Sequence, residues 1–365
     1  MPALCADVLL LISDQISPTD RASLRAACKA FDLIVSPSFF QSTPIILDLP
    51  PILDNPAHLD VESYSGWSQF GQHLVIRCLG GYEWENAFDG INTPLSQFLT
   101  SLKELHSIHW TIHEDDLEWT YPIIQGALLS FTKLRSLSLA RHAKARYDPH
   151  AFTELWPVLS ERGMHLTSLE VPTPDTALLD YLASYSTLES LTFSAAEDKR
   201  NVLADRFFAD ILPRHAGTLS SLICSAKLPI RQYRQIPAPN SNWALSARNA
   251  AAISSLTNLK TLEMTVPHRD PVNGVSLLMS TVTTHLPSLR EFAALGSAYR
   301  YQRFSCVIVS DDPHRGKTFR HQRAVEAAMR NYASVNEGDP EVTRLVESHR
   351  ARIAVRRKTS LTEMK

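Results

Sequence analysis

The hexapeptide Leu134-Arg-Ser-Leu137-Ser-Leu139 is one copy of a motif, Leu-x-x-Leu-x-apolar, that decides the fold of this 365-residue chain. Further copies are Leu166-Thr-Ser-Leu169-Glu-Val171, Leu188-Glu-Ser-Leu191-Thr-Phe193, Leu219-Ser-Ser-Leu222-Ile-Cys224 and Leu259-Lys-Thr-Leu262-Glu-Met264, with weaker ones at Leu102-Lys-Glu-Leu105 and Leu289-Arg-Glu-Phe292. Successive first leucines lie 32, 32, 22, 31, 40 and 30 residues apart. Such a recurrence predicts a solenoid, in which each unit buries its apolar face against its neighbours.

An apolar pattern with helical spacing precedes each copy of the motif. These patterns are Leu95–Leu102, Pro122–Phe131, Ala151–Arg162, Thr176–Tyr185, Ala204–His215, Ala247–Leu256 and Val275–His285. Each period is therefore expected to be a helix followed by a strand, which predicts an α/β fold with a parallel sheet. A layered α/β domain is the alternative architecture for the same elements.

Alternation within the motif predicts which residues the sheet leaves outside the core. Leu137 and Leu139 should point inward, and Ser136 and Ser138 should lie on the opposite, concave face. In the same frame that face carries Ser136, Ser138, Ser168, Glu170, Ser190, Thr192, Ser221, Thr261 and Glu263. Such a mildly acidic groove suits a basic or polar peptide of a target protein. Serine and threonine are also common on exposed strand faces, so an ordinary structural explanation stays open.

The first 42 residues predict three short helices, too few residues for an independent enzyme core. Ser17 is placed as a helix cap, Pro18 at the first helical position and Asp20 in the first turn. A third helix is predicted from Phe31 to Phe40, interrupted by Pro37.

This segment resembles an F-box, the module that docks substrate receptors onto the Skp-type adaptor of SCF ubiquitin ligases. The matching positions are Leu4, Asp7, Val8, Leu9, Ile12, Ser17, Pro18, Asp20, Leu24, Cys28, Lys29 and Phe31, whereas Cys5, Arg21 and Ala27 depart from the family pattern. The resemblance implies an apolar adaptor-binding surface formed by Leu4, Val8, Leu9, Ile12, Leu24, Cys28 and Phe31. It also implies a connection through the adaptor to a cullin-RING ligase.

Residues 70–310 resemble divergent leucine-rich repeats, although their lengths vary and the asparagine that usually follows the motif is missing. An F-box followed by irregular repeats is similar to the expanded F-box families of fungi. The expected organisation is an F-box at 1–42, a linker at 43–69 with a short strand Ile45–Leu49, repeats at 70–310 and a basic helical extension at 311–365. A capping strand is expected at Phe304–Val309, followed by helices at Phe319–Tyr332 and Glu341–Lys358.

Charge and cysteine content restrict the class of protein. The formal net charge of −2 argues against a general binder of polyanions, so no nucleic-acid partner is expected. Five scattered cysteines fit free thiols in a reducing compartment, and the apolar runs are too short for a membrane span. We therefore expect a cytoplasmic or nuclear location and no membrane partner. The basic cluster Arg350–Lys358 fits a nuclear import signal, a contact for acidic partners or a solvated helix face.

No catalytic signature occurs in the sequence, and no cofactor or metal is predicted. Gly316-Lys317-Thr318 lacks the glycine that a phosphate-binding loop requires five residues earlier, where Asp311 stands. His106, His109 and His113, near Asp115 and Asp116, have the side chains of metal ligands, but the pattern favours exposed polar residues of a strand or loop over a metal site.

The resemblance predicts a non-enzymatic substrate receptor of an SCF-type ligase, with a target protein that the sequence does not identify. The alternatives are a repeat scaffold outside the ligase with a degenerate F-box, and a hydrolase concealed in the repeats.

Overall fold

The computed structural model describes residues 15–27, 29–48, 65–77, 92–112, 120–141, 152–193, 202–224, 242–266, 277–278, 281–282, 284–296, 302–312 and 316–320. The chain divides into two compact units, Met1–Leu188 and Glu189–Lys365. Their boundary falls inside the predicted repeat region, immediately before the strand that begins at Ser190.

The first unit is built from helices that alternate with parallel strands. Its elements are α1 (Pro18–Ala27), α2 (Lys29–Ser42), β1 (Ile45–Asp48), α3 (Ser65–Phe70), β2 (His73–Arg77), α4 (Asn92–Ser101), β3 (Ser107–Ile112), α5 (Thr120–Leu128), β4 (Ser136–Arg141), α6 (Leu155–Glu161), β5 (Ser168–Val171) and α7 (Thr176–Ala183). The five strands pair in chain order, each parallel to the next.

The second unit continues the same alternation and then changes strand direction. It contains β6 (Ser190–Phe193), α8 (Val202–Arg206), a π-turn at Phe207–Ile211, a 3₁₀ turn at Leu212–His215, β7 (Ser221–Cys224), α9 (Ala247–Ser254), β8 (Thr261–Val266), β9 (Glu291–Gly296), β10 (Gln302–Asp312) and β11 (Gly316–Arg320). Strands β6 to β9 are parallel, whereas β10 pairs antiparallel with both β9 and β11. The predicted α/β fold with parallel strands is confirmed, and its serial order agrees with a solenoid-like repeat.

The core of each unit is formed by the leucines of the recurring motif. These residues are at most 4% exposed: Leu102, Leu105, Leu134, Leu137, Leu166, Leu169, Leu188, Leu191, Leu219, Leu222, Leu259, Leu262 and Leu289. The first leucine of each copy lies between helix and strand, and in the copies from Leu134 onward the second begins the buried face of the strand. The copy at Leu102 is the exception, because Leu105 precedes β3 and Ile108 lies opposite Leu137 of β4. Truncating one such leucine to alanine typically costs about 2–5 kcal/mol.

A ladder of backbone carbonyls connects successive periods just before each strand. The carbonyl of His106 accepts hydrogen bonds from the N–H groups of Arg135 and Ser136, at 2.9 and 3.0 Å. The same paired arrangement recurs at the carbonyls of Gln72, Arg135, Glu189, Ser220 and Lys260. Because a carbonyl oxygen has two lone pairs, each of these carbonyls satisfies two N–H groups of the following period at the turn that enters the strand.

Helix α1 begins as the sequence predicts. The Ser17 hydroxyl accepts a 3.2 Å hydrogen bond from the Asp20 N–H and donates one of 2.7 Å to the Asp20 carboxylate. Helix α2 differs from the prediction, since it begins at Lys29 and continues through Pro37 to Ser42. The carbonyl left without a donor by Pro37 belongs to Leu33, which is 78% exposed, so water can hydrate it.

Two segment predictions need correction. In the stretch 43–69, expected to be a linker, the predicted short strand Ile45–Leu49 is confirmed as β1 (Ile45–Asp48), but β1 is a member of the sheet and the helix α3 follows it. The helix expected to begin at Phe319 is absent there, because Phe319 belongs to β11, which pairs with β10. Thr318 and Phe319 favour strands, and the pairing supplies hydrogen bonds that an isolated helical turn lacks. The remainder of that predicted helix, and the one at Glu341–Lys358, lie outside the described residues.

Cys224 is a buried free thiol, and burial raises its pKa. It therefore remains protonated at neutral pH and contributes to the core as a small apolar side chain. The other cysteines lie outside the part of the chain whose side chains are described.

Candidate functional site

The strand face opposite the core of the first unit carries aligned polar side chains, and we call it the polar face. Its buried and partly exposed positions alternate, as the pattern HLVIR of β2 and SIHWTI of β3 already suggests. Three rows of residues run across the strands. The middle row is Val75, His109, Ser138 and Glu170; the row before it along the strands is His73, Ser107, Ser136 and Ser168; and the row after it is Arg77, Thr111 and Ala140. The four residues predicted here in the first unit, Ser136, Ser138, Ser168 and Glu170, all lie on this face.

The middle row is joined by side-chain hydrogen bonds. The Ser138 hydroxyl donates to Glu170 Oε2 over 2.6 Å, and His109 Nδ1 lies 2.8 Å from the same hydroxyl oxygen. A serine has one proton, so His109 Nδ1–H is the donor in the second bond. His109 Nε2 lies 3.2 Å from Thr111 Oγ1 and, in the neutral ring, accepts from it.

A second histidine is held in the neighbouring row. His73 Nδ1 lies 2.6 Å from the Ser107 hydroxyl oxygen. Burial holds the pKa of His73 below its usual value, and the nearby His106 lowers it further. His73 is therefore mainly neutral at pH 7 and acts as a hydrogen-bonding group.

Two opposite charges lie at opposite edges of this face. Arg77 is exposed at the end of β2, and Glu170 is half-buried on β5. Within the described ranges, neither forms an ion pair, and Glu170 Oε1 has no hydrogen-bond partner.

The second unit has a comparable but less polar face. Ser190, Thr192, Ser221 and Thr261 are partly exposed there, as predicted. Glu263 is only 6% exposed. Its row across the strands is Thr192, Ile223, Glu263 and Ala293, so apolar residues flank this carboxylate on both sides. Because Glu263 is buried, it does not supply the accessible acid that the sequence suggested for a groove.

The predicted adaptor-binding residues are described only in part. Leu24 on α1 and Phe31 on α2 are half-buried, whereas Leu4, Val8, Leu9, Ile12 and Cys28 lie outside the described residues. Leu33, which was not among the predicted residues, is 78% exposed on α2. The sequence could have indicated this exposure, because Leu33 lies two residues after Phe31 and therefore on a different face of the helix.

An arginine-centred cluster holds α1 against α2. Arg25 forms a 2.9 Å ion pair with Asp32, and its guanidinium lies 4.7 Å and 4.3 Å from the ring centres of Phe39 and Phe40. Hydrogen bonds from Ser36 and Arg25 hold the pKa of Asp32 below its usual value. The helices therefore keep a defined packing despite their short length.

The second unit contains a cleft of about 270 Å³, lined by Asp205, Phe208, Asn242, Ser246 and Arg248 among others. Asp205 accepts a 3.0 Å hydrogen bond from Asn242 and forms a 2.8 Å ion pair with Arg248. Asn249 caps α9 together with Ser246 and donates to the Ala244 carbonyl. These polar groups bind one another and stabilise the N-terminal end of α9 and the segment that precedes it.

Of the histidines considered as metal ligands, His109 is hydrogen-bonded through both ring nitrogens. His113, Asp115 and Asp116 lie outside the described residues. Among the residues that are described, no group of three metal-ligating side chains occurs, and no helix has both the length and the apolar content to cross a membrane.

The middle row also differs from a serine-hydrolase site. A nucleophilic serine directs its proton to an imidazole base, which a carboxylate orients. Ser138 directs its proton to Glu170 instead, and His109 donates to Ser138. The arrangement presents hydroxyl, imidazole and carboxylate groups to a ligand and does not form a Ser–His nucleophile pair.

A scan against models of known protein families gives no match for this chain. A search of the curated proteins likewise finds no relative.

Proposed function

We propose that this chain is the substrate-receptor subunit of an SCF-type ubiquitin ligase. The observation that supports this most is the arrangement of the first unit. A capped helix with the F-box-like pattern Ser17-Pro18-x-Asp20 leads through α2 directly into the first strand of a repeat sheet. In this proposal the repeats are leucine-rich repeats. Helices α1 and α2 are the part of the F-box that lies within the described residues.

The adaptor contact is assigned to the outer side of the α1–α2 pair. Leu24 and Phe31 are partly accessible there, and Leu33 presents an apolar side chain to solvent. A few apolar anchors of this kind usually dominate a protein interface, each worth about 2 kcal/mol or more on truncation. Leu33 therefore joins the predicted adaptor-binding residues.

The receptor itself performs no bond chemistry in this proposal. Its sheet holds a target protein, and its helices bind the adaptor. Tethering the target beside the ubiquitin carrier raises the effective concentration of the target lysine. Other subunits carry out the transfer.

An affinity pull-down of the full chain from a eukaryotic extract tests this function. Leu33→Asp places a charge on a residue that is 78% exposed, so the fold should persist while adaptor recovery falls. Val202→Asp is the matched control, because Val202 is a 62% exposed apolar residue of the second unit. Adaptor and cullin should accompany the wild type and Val202→Asp.

The double variant Leu24→Ala/Phe31→Ala tests the half-buried part of the same surface. It should lose the adaptor, and circular dichroism will show whether the helices remain folded. A folded double variant that still binds the adaptor tightly would refute the proposed surface. Absence of adaptor with the wild type would refute the ligase function.

The second candidate is a repeat scaffold outside the ligase, with a degenerate F-box. It is favoured by Arg21, which replaces an apolar residue of the family pattern and donates a 2.8 Å hydrogen bond to Ser42 Oγ. That position holds α1 against the end of α2 and does not offer an apolar contact. The pull-down separates the two candidates, since only the receptor recovers the adaptor.

A further inference from the structure

The polar face of the first unit has a charge geometry that selects a particular kind of peptide. Glu170 Oε2 is anchored by Ser138, and its other oxygen has no partner within the described residues. Arg77 is exposed on the same face, three strands away and one row along the sheet. The sheet thus sets the distance between the backbone positions of two oppositely charged residues.

The separation of these charges follows from sheet geometry. Strands lie about 4.8 Å apart and residues two apart along a strand about 6.7 Å, so the diagonal from Glu170 to Arg77 is about 16 Å. An extended peptide advances about 3.4 Å per residue, and only even separations put two side chains on one of its faces. A separation of four residues spans about 13.5 Å, and the lengths of lysine, arginine and glutamate side chains cover the remainder.

The surface between the two charges allows a close approach. The positions on β4 that face outward are Ser136, Ser138 and Ala140, all small. His109 and Thr111 add polar groups beside them. An extended segment laid across the strands can therefore contact the sheet while its charged side chains reach Glu170 and Arg77.

We propose that the polar face binds an extended peptide segment with a basic and an acidic residue four positions apart. The basic side chain contacts Glu170, and the acidic one contacts Arg77. This inference rests on the proposed receptor function for its biological meaning, because it names the chemistry of the target segment. As a statement about binding it depends only on the polar face.

The test measures fluorescence anisotropy of labelled twelve-residue peptides with the full chain. Each peptide has a Ser/Thr/Val host sequence with one lysine and one glutamate, separated by three, four, five or eight residues. The separation of four should bind about fivefold more tightly than three or five, since each partly exposed ion pair contributes up to about a factor of five. Equal affinity at every separation would overturn the proposal.

Charge-reversal variants test the two contacts individually. Glu170→Arg should transfer the preference to a peptide with two glutamates four positions apart, and Arg77→Glu to the peptide with two lysines. Glu161→Arg is the matched control, since Glu161 is an exposed carboxylate on α6, outside the polar face. Failure of either reversal to change the preference would also overturn the proposal.

Failure of this inference is distinguishable from failure of the receptor function. Adaptor recovery by the wild-type chain together with spacing-independent peptide binding refutes the peptide preference alone. A clear preference for the separation of four without adaptor recovery refutes the receptor function alone and supports the inference as a property of a scaffold.

Discussion

Ser138 and Glu170 are joined across β4 and β5 by a 2.6 Å hydrogen bond in which the serine hydroxyl donates to the carboxylate. The bond orders two residues that an isolated strand would leave free to rotate. It also determines the direction of the neighbouring contact, because the serine proton is used and His109 must donate. One hydroxyl thereby sets the orientation of a carboxylate and the tautomer of an imidazole.

Ser138→Ala should destabilise the first unit by about 1–2 kcal/mol, because it leaves a partly buried carboxylate and a ring N–H without their partner. Ser136→Ala is the matched control, since Ser136 lies on the same strand and face and forms no side-chain hydrogen bond with a described residue. Urea unfolding of both variants measures the difference. Equal stability of the two variants would show that the Ser138 bond contributes nothing.

Tyr181→Phe should destabilise the first unit by about 1–3 kcal/mol, since two buried backbone groups lose their partner. The Tyr181 hydroxyl donates a 2.7 Å hydrogen bond to the Met164 carbonyl and accepts one of 3.0 Å from the Leu166 N–H. Thermal unfolding at neutral pH checks this value. A melting temperature equal to that of the wild type would contradict it.

The same tyrosine should make stability depend on alkaline pH. Burial raises the pKa of Tyr181 from 10.0 to about 12. The unfolded chain therefore releases the proton first, so the contribution is complete below pH 10 and is lost as the pH rises towards 12. Tyr181→Phe should show a smaller loss over that interval, measured by urea unfolding at each pH.

The sequence predicted the repeat because the motif combines local and tertiary information. Its first leucine closes the helix–strand turn and its second enters the core, so the recurrence marks both the strand and its buried face. Strands β1 and β2 lack the first leucine. For that reason the sequence predicts the strand Ile45–Leu49 but not its place in the sheet, where it pairs in parallel with β2.

The hydrogen-bonded row of the polar face was only half predictable. Alternation placed Ser138 and Glu170 on one face, whereas their contact and the contribution of His109 depend on the register between strands. The motif sets that register for Ser138 and Glu170, since each is the fifth residue of its copy and the two pair directly. His109 was missed because the copy at Leu102 is offset from the strand pairing, in which Ile108 lies opposite Leu137. The sequence around His109 also does not indicate that its ring is hydrogen-bonded to Ser138.

The stability of the first unit should also decrease on mild acidification, because of His73. The pKa of His73 lies below the usual 6.5, owing to burial and then to His106, so the unfolded chain takes up the proton first. Stability from this group is complete above pH 6.5 and is lost as the pH falls through that value towards the lower folded-state pKa. The other charged or titratable groups of this face are Arg77 on the same strand, His109 on β3 and Glu170 on β5, and His106 lies near His73 just before β3.

His73→Gln tests this dependence, because glutamine retains a polar group for Ser107 and does not titrate. Unfolding free energies from urea titrations at about pH 7.5 and about pH 5.5 should differ less for the variant than for the wild type. An identical pH dependence in both chains would remove His73 as the cause.

Gly66→Ala should destabilise the junction between the N-terminal helices and the sheet, whereas Gly126→Ala should be neutral or stabilising. A Cβ at position 66 would lie 2.1 Å from Cε2 of Phe40, whose ring is packed edge-on against Trp67 at 4.6 Å. Such an overlap forces the ring or α3 to move and costs about 1–3 kcal/mol. A Cβ at position 126, inside α5, meets no atom within 4 Å among those described, so alanine gains about 0.5–1 kcal/mol in helix propensity. Thermal unfolding should therefore shift in opposite directions for the two variants. Equal shifts would mean that Phe40 does not fix α3 against α2.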